Sequence, residues 1–186
     1  YLQNLKTEVE LVVSLDDSAK AAEVNELATE IAELSNLVTY RRDDSQAQRK
    51  PAMLVRSVAK NTQINFAGVP LGHEFTSLVL ALLHSGGHPI KVEADLIEQI
   101  KNISGSFQFE TYVSLSCQTC PEVVQALNIM SAINPNITNV MIDGAIFQDE
   151  VAAKNIMAVP SVYLNGELFS QGAITLEKII QKIDVN

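Results

Sequence analysis

The two cysteines of the chain, Cys117 and Cys120, stand with two residues between them in "VSLSCQTCPEVV", residues 113–124. Two thiols at that spacing can close a disulfide, hold half of a metal site, or exchange electrons with another disulfide. A tetrahedral zinc site would need two further ligands, and there is no other cysteine to supply them. The three histidines do not supply them either: "HEFTS" lacks a second histidine one turn on, and "SGG" interrupts the span between His84 and His88. No metal is expected. An inert staple is a weak use of so short a loop, because closing it removes little entropy from the unfolded chain. Reversible thiol–disulfide exchange gives both sulfurs a role.

The flanking sequence says where the pair would sit. "FQFETYVSLS" (107–116) is rich in β-branched and aromatic residues and predicts a strand. "CPEVVQALNIMSAI" (120–133) carries Val123, Val124, Leu127, Met130 and Ile133 at the spacing of one helix face. The pair is therefore expected to open a helix, where unpaired N–H groups and the macrodipole favour a thiolate at Cys117. Cys120, one turn further in, is expected to be more buried and to resolve the mixed disulfide. Pro121 falls in the first turn, where a missing N–H costs little.

Thirty-nine residues beyond Pro121, "MAVPSVYL" places Pro160 at the start of a strand. A cis Val159–Pro160 bond would turn the backbone of Val159 outward as an edge for an extended partner, so these two are the candidate substrate-binding residues. A dithiol of this kind benefits from a carboxylate that accepts a proton during resolution. The strand position six residues before Cys117 is Thr111, so the acid must come from elsewhere. Glu74, opening the apolar run "EFTSLVLALL", is the candidate if two halves of the chain pack with their active faces together; otherwise it simply complements a helix N-terminus.

Two halves are visible. Sliding the sequence against itself by 100 positions aligns Val13, Ser14 and Leu15 with Val113, Ser114 and Leu115, and puts Asp17 and Lys20 where Cys117 and Cys120 stand. The order of elements repeats as well. In the first half, "VELVVSL" predicts a strand, "SAKAAEVNELATEIAEL" a helix, "LVTYRRD" a strand, "AMLVRS" and "QINFAG" a strand pair, and "HEFTSLVLALL" a closing helix. In the second, "ITNVMID" predicts a strand and "FQDEVAAKN" a short helix. A hairpin turning at Asn165-Gly166 follows, then "TLEKIIQKI" as the closing helix.

The first half has no counterpart of "FQDEVAAKN"; its "RRDDSQAQRK" (41–50) reads as a solvated loop. "IKVEADLIEQIKNI" (90–103), with Val92, Leu96, Ile100 and Ile103 on one face, predicts a bridging helix. A strand, a Cys-x-x-Cys helix and a proline before a hairpin form the thioredoxin layout. The expected class is α/β: two contiguous thioredoxin-like folds with mixed central sheets flanked by helices. Residues 1–89 form the redox-inactive copy, 90–104 the bridge and 105–186 the redox-active copy.

Composition narrows the partners. The 13 Lys and Arg against 22 Asp and Glu leave a net charge of −9, which opposes nucleic acid and anionic membrane surfaces. The longest nearly apolar run, "FTSLVLALL" (75–83), is far shorter than the roughly 20 residues of a bilayer-spanning helix. Two cysteines in 186 residues are not a disulfide-stapled secreted scaffold, and no basic-then-apolar export signal opens the chain. A cytoplasmic setting is expected, for a chain that starts at Tyr1 and reads as a fragment or a processed product. On the residues alone, two alternatives to an electron relay stay open: a general protein disulfide oxidoreductase or isomerase, and a docking module whose disulfide never cycles.

The blocks "FAGVPLGHEFTSLVLALL", "ETYVSLSCQTCPEVVQALN" and "NIMAVPSVYLNG" make the chain resemble, over essentially its whole length, the N-terminal domain of the bacterial alkyl hydroperoxide reductase flavoprotein. The resemblance implies tandem thioredoxin-like folds of which only the second is redox-active. It implies electrons arriving from a flavin- and NADH-binding module and leaving for the disulfide of a peroxiredoxin. It maps the relay cysteines onto Cys117 and Cys120, and a proton-handling Glu onto Glu74. FAD and NADH are expected on a C-terminal module, not here, because the chain contains no G-x-G-x-x-G.

Overall fold

The apolar alternation of the first half forms strands where expected. The computed structural model describes residues 1–185. β1 (Val9–Ser14) is followed by α1 (Ala19–Glu33), β2 (Val38–Arg42), β3 (Ala52–Ser57), β4 (Gln63–Ala67) and α2 (Phe75–Ser85). α1 starts where the Ser18 hydroxyl accepts the Ala21 N–H at 3.1 Å, and it buries Ala21, Val24, Ala28 and Ile31, a stripe at helical spacing. After α3 (Ala94–Lys101) the pattern repeats as β5 (Phe107–Val113), α4 (Cys120–Ile133) and β6 (Ile137–Asp143). It closes with α5 (Gln148–Ala153), β7 (Ser161–Leu164), β8 (Glu167–Gln171) and α6 (Leu176–Val185). Asn165 and Gly166 both take positive φ, as the hairpin between β7 and β8 requires.

The two sheets merge into one of eight strands, in the order β2-β1-β3-β4-β6-β5-β7-β8. Each half contributes a parallel pair (β1 with β2, β5 with β6) and two antiparallel ones. The seam is a parallel pairing of β4 with β6, running from Ile64 opposite Asn139 to Ala67 opposite Ile142. Joining the sheets at β4 and β6 removes an exposed edge from each half. It also produces a shared core: the cluster holding Leu11, Val24, Phe66 and Leu78 of the first half also contains Val113, Cys120, Val124 and Met141 of the second.

Two expectations change. The bridging helix spans only Ala94–Lys101, with Glu93 in an extended conformation at its start, so Val92 lies outside the helix and its face begins at Leu96. Pro89 and the Val92 N–H turned onto Ile90 hold residues 89–92 outside the helix. The 41–50 segment is more than a solvated loop. Arg49 pairs with Glu110 on β5 and with Glu150 on α5 (2.8 Å), and Glu150 also accepts the Tyr112 hydroxyl at 2.7 Å. Burial disfavours the Arg49 charge, but the hydrogen bonds it donates to Glu150 and Glu110 outweigh it and hold the guanidinium firmly protonated. With no helix opposite α5 in the first half, a cleft of about 630 Å³ remains on that face, lined by Gln46, Arg49, Asn65, Gln108 and Asn165. No helix among the described residues is long and apolar enough to cross a membrane.

Candidate disulfide-exchange site

Cys117 and Cys120 are joined by a disulfide, with Cα atoms 5.5 Å apart. The helix spans Cys120–Ile133, the stretch whose apolar spacing predicts it. Thr119 is the N-cap residue and Cys120 the first helical one, so Cys117 lies in the turn before α4, its N–H bonded to Ser114 at 3.1 Å. Pro121 in the first turn fixes that start. Cys117 is half-buried and Cys120 is 0% exposed. An incoming group can therefore reach only the first sulfur.

The Val159–Pro160 bond is cis, and the Val159 carbonyl lies 3.9 Å from the Cys117 sulfur. Thr119 places its hydroxyl 3.6 Å from the same sulfur. Met157, two residues before Val159, is 92% exposed. The rim of the disulfide thus combines a half-open sulfur with a strand-entry backbone.

Glu74, on the first half, lies beside the turn that precedes Cys117. It ends a 3₁₀ turn, Gly72–Glu74, that leads directly into α2. Gly72 takes φ +58°, and a Cβ there would stand 2.8 Å from the Leu115 carbonyl, so only glycine allows this approach. The His73 N–H then donates to that same carbonyl at 2.9 Å, two residues before Cys117. Glu74 is 0% exposed; Oε1 accepts the Ser77 hydroxyl at 2.7 Å, and Oε2 has no partner. Burial pushes its pKa up, opposed by the Ser77 hydrogen bond.

Other buried polar groups carry little signal in the sequence. Thr111 is fully buried and donates to Asn139 at 2.9 Å, which in turn donates to Asn128 at 3.0 Å. Asp143, at the end of β6, is 4% exposed, with Oδ1 accepting the Ala145 N–H at 3.0 Å. Burial raises its pKa, against the Ala145 N–H and the Lys20 charge. Its place 100 residues after Asp43 was the one available signal.

Residues 108–184 match the thioredoxin domain family. The chain is 56% identical over 186 residues to the F subunit of alkyl hydroperoxide reductase from Pseudomonas putida, covering all of this chain and 36% of that protein. The corresponding Escherichia coli K12 protein is 56% identical over 184 residues, covering 99% of this chain and 35% of its own length. Among solved structures, the NTD_N/C domain of alkylhydroperoxide reductase AhpF from Enterococcus faecalis superposes with a TM-score of 0.87 at 31% identity. That match covers 96% of this chain and 92% of the other. The chain belongs to the family of AhpF N-terminal domains. It spans about a third of the length of its Pseudomonas and Escherichia relatives. Family membership agrees with the tandem thioredoxin-like fold and with a cysteine pair at disulfide distance.

Proposed function

We propose that this chain relays electrons in an alkyl hydroperoxide reductase system, taking them from a flavoprotein dithiol and delivering them to the disulfide of a peroxiredoxin. The observation that carries this reading is the asymmetric disulfide, with Cys117 half-open beside the Val159 carbonyl and Cys120 sealed behind it. In the reduced state the Cys117 thiolate attacks one sulfur of the partner disulfide. A bond forms between Cys117 and the partner, and the partner's other sulfur leaves as a thiolate. Cys120 then gives its proton to Glu74 and attacks the Cys117 sulfur. The second partner thiolate leaves, two electrons have moved, and Glu74 can return its proton to a leaving sulfur.

Val159 and Pro160 would bind the extended segment that carries the partner disulfide, through the outward backbone edge beside Cys117. The electrons must be supplied from outside, because the chain has no dinucleotide-binding glycine motif. The proposed donor is the dithiol of a module that binds FAD and NADH, within the two thirds of the relatives that this chain does not span. NADH as the ultimate donor fits a cytoplasmic setting.

The test combines a flavoprotein reductase, this chain and a peroxiredoxin, and follows NADH consumption driven by hydroperoxide. Cys117→Ser should stop it. Intact consumption in that variant would make the chain a docking module, and efficient repair of scrambled disulfides with no transfer to the peroxiredoxin would make it a general isomerase.

A further inference from the structure

Glu74 does not stand alone. Ser77, one turn along α2 and 1% exposed, donates its hydroxyl hydrogen to Glu74 Oε1 at 2.7 Å. The same hydroxyl oxygen accepts from Gln125 Nε2 of α4 at 3.2 Å. The result is a directed donor chain, amide to hydroxyl to carboxylate, crossing the boundary between the two halves.

Two contacts fix the register of α2 against α4. His73, in the 3₁₀ turn that leads into α2, bonds Leu115, in the segment that leads into α4, and Ser77 bonds Gln125 further along both helices. Residue numbers rise together, so the helices run in the same direction and begin at the same end of the sheet. Glu74 lies three residues before Ser77, and Cys120 lies five before Gln125. At about 1.5 Å of rise per residue those steps differ by only about 3 Å, so the carboxyl and the buried sulfur sit at nearly one level. Anchoring Oε1 to Ser77 leaves Oε2, which has no partner, as the oxygen free to receive a proton.

We propose that Ser77 and Gln125 are positioning residues that aim Glu74 and set the pH at which Cys120 can resolve the mixed disulfide. This rests on the proton-accepting role given to Glu74 above. A hydrogen bond donated to a carboxylate favours its charged form, so the chain offsets part of what burial does to Glu74. The titratable groups on the elements packed against it are few. They are His73 on its own turn, the cysteines and Glu122 at the start of α4, His84 at the far end of α2, and Asp143 on β6, against which α4 packs; β3, which packs against α2, adds Arg56, whose guanidinium is engaged by Glu10 and Asn61. Among the described residues no salt bridge partners Glu74. The neutral donors Ser77 and Gln125 are therefore the local lever.

The experiment mixes the reduced chain with 5,5′-dithiobis(2-nitrobenzoate) and follows release of the coloured thiolate from pH 5 to 9. The first thiolate leaves when Cys117 attacks; the second leaves when Cys120 resolves. The ratio of the two rates isolates the resolving step, with the Cys117 step as internal reference. In Ser77→Ala the pH at which resolution switches on should rise, making resolution roughly tenfold slower at the acid end and converging on wild type at the alkaline end. Gln125→Glu should shift it the same way, because the Ser77 hydroxyl would then be shared between two carboxylates.

If Glu74→Gln leaves the resolution profile unchanged, the proton-accepting role of Glu74 fails and this inference falls with it. If Glu74→Gln moves the profile while Ser77→Ala and Gln125→Glu leave it in place, Glu74 stands and the inference is overturned. Should Ser77→Ala fold poorly, the Gln125→Glu profile decides alone.

Discussion

The two copies of the thioredoxin-like unit share a backbone and differ in what fills the end of their sheets. Each has a cis X-Pro bond before its third strand, Lys50–Pro51 in one and Val159–Pro160 in the other. Val13 accepts the Asp43 N–H at 2.9 Å just as Val113 accepts the Gly144 N–H at 3.0 Å. Where the second copy has Cys120, fully buried, the first has Lys20, exposed and paired with Glu23 at 3.0 Å. The Leu15 N–H is capped by Asp44 from its own half, whereas the Leu115 carbonyl is capped by His73 from the other. The copy without thiols is thus closed on itself, and it covers its partner, bringing a buried carboxyl with it. The copies therefore differ in a sealed sulfur and in a buried carboxyl carried across the seam, and the role proposed for that carboxyl can be tested against the shared backbone.

Removing the sulfurs should give the largest effect. Cys117→Ser is expected to lower disulfide exchange by at least about 10³-fold, since the attacking group is gone. Cys120→Ser should instead accumulate a mixed disulfide at Cys117, visible as a mass increase equal to the bound thiol. The contrast becomes sharper with Asp17→Cys/Lys20→Cys placed in a Cys117→Ser/Cys120→Ser background. The grafted thiols stand at the same spacing before α1 and should oxidise to a disulfide by thiol count. They should exchange at least about tenfold more slowly than the native pair, because Lys20's position is open to solvent and its sulfur would not be sealed behind the first. Equal rates would mean that the backbone alone carries reactivity.

Next in size is the tie across the seam. Arg49→Met removes the cation held between Glu110 and Glu150 and leaves two half-buried carboxylates facing each other. A loss of about 1–3 kcal/mol in unfolding free energy is expected, read as a lower denaturant midpoint at constant m. A fall in m would show that the halves had begun to unfold separately.

Glu74→Gln tests the acid through stability. Burial raises the folded-state pKa of Glu74, so the folded chain holds the proton more tightly than the unfolded one. Stability of the wild type should therefore fall as pH rises from the ordinary glutamate value through the raised one. The glutamine variant lacks that loss and should be more stable than wild type at pH 8 by on the order of 1 kcal/mol, with no difference at pH 4. A more stable variant that exchanges more slowly would identify Glu74 as a group kept for chemistry at a cost in stability.

Much of this comparison is legible in the sequence because it rests on local signals. Alternating apolar residues mark β1 and β5, a helical stripe follows Pro121, and Asn165-Gly166 forces the hairpin. The offset of 100 that aligns Val13 with Val113 exposes the duplication. Contacts between distant segments are not legible in that way. Nothing in "RRDDSQAQRK" says that Arg49 crosses to Glu110 and Glu150, because an arginine on a polar loop looks the same whether it meets water or a carboxylate. Gln125, Asn128 and Asn139 are likewise ordinary polar residues until the β4–β6 seam decides which faces close. Glu74 could be proposed from sequence only on the condition that the halves pack face to face; Gly72 against Leu115 supplies the missing contact.

The finest test of the two copies lies in one repeated residue. Asp43 directly follows β2 and Asp143 ends the equivalent β6, and each accepts the N–H two residues on, from Ser45 and Ala145, at 3.0 Å. Their surroundings push them in opposite directions. Hydrogen bonds from Ser45 outweigh burial at Asp43 and lower its pKa, whereas burial at Asp143 outweighs the Ala145 N–H and raises it. Asp43 therefore adds stability above the ordinary aspartate value that is lost as pH falls through its lowered one. Asp143 does the reverse, favouring the folded state at low pH and losing that contribution as pH rises through its raised value. Asn at either position keeps an acceptor oxygen and deletes the titration. Between pH 3 and pH 7, thermal melts of Asp43→Asn should drop progressively below wild type, and those of Asp143→Asn should climb progressively above it. Two curves moving the same way would mean that the copies titrate alike, and that burial at the seam does not distinguish the reactive half from its companion.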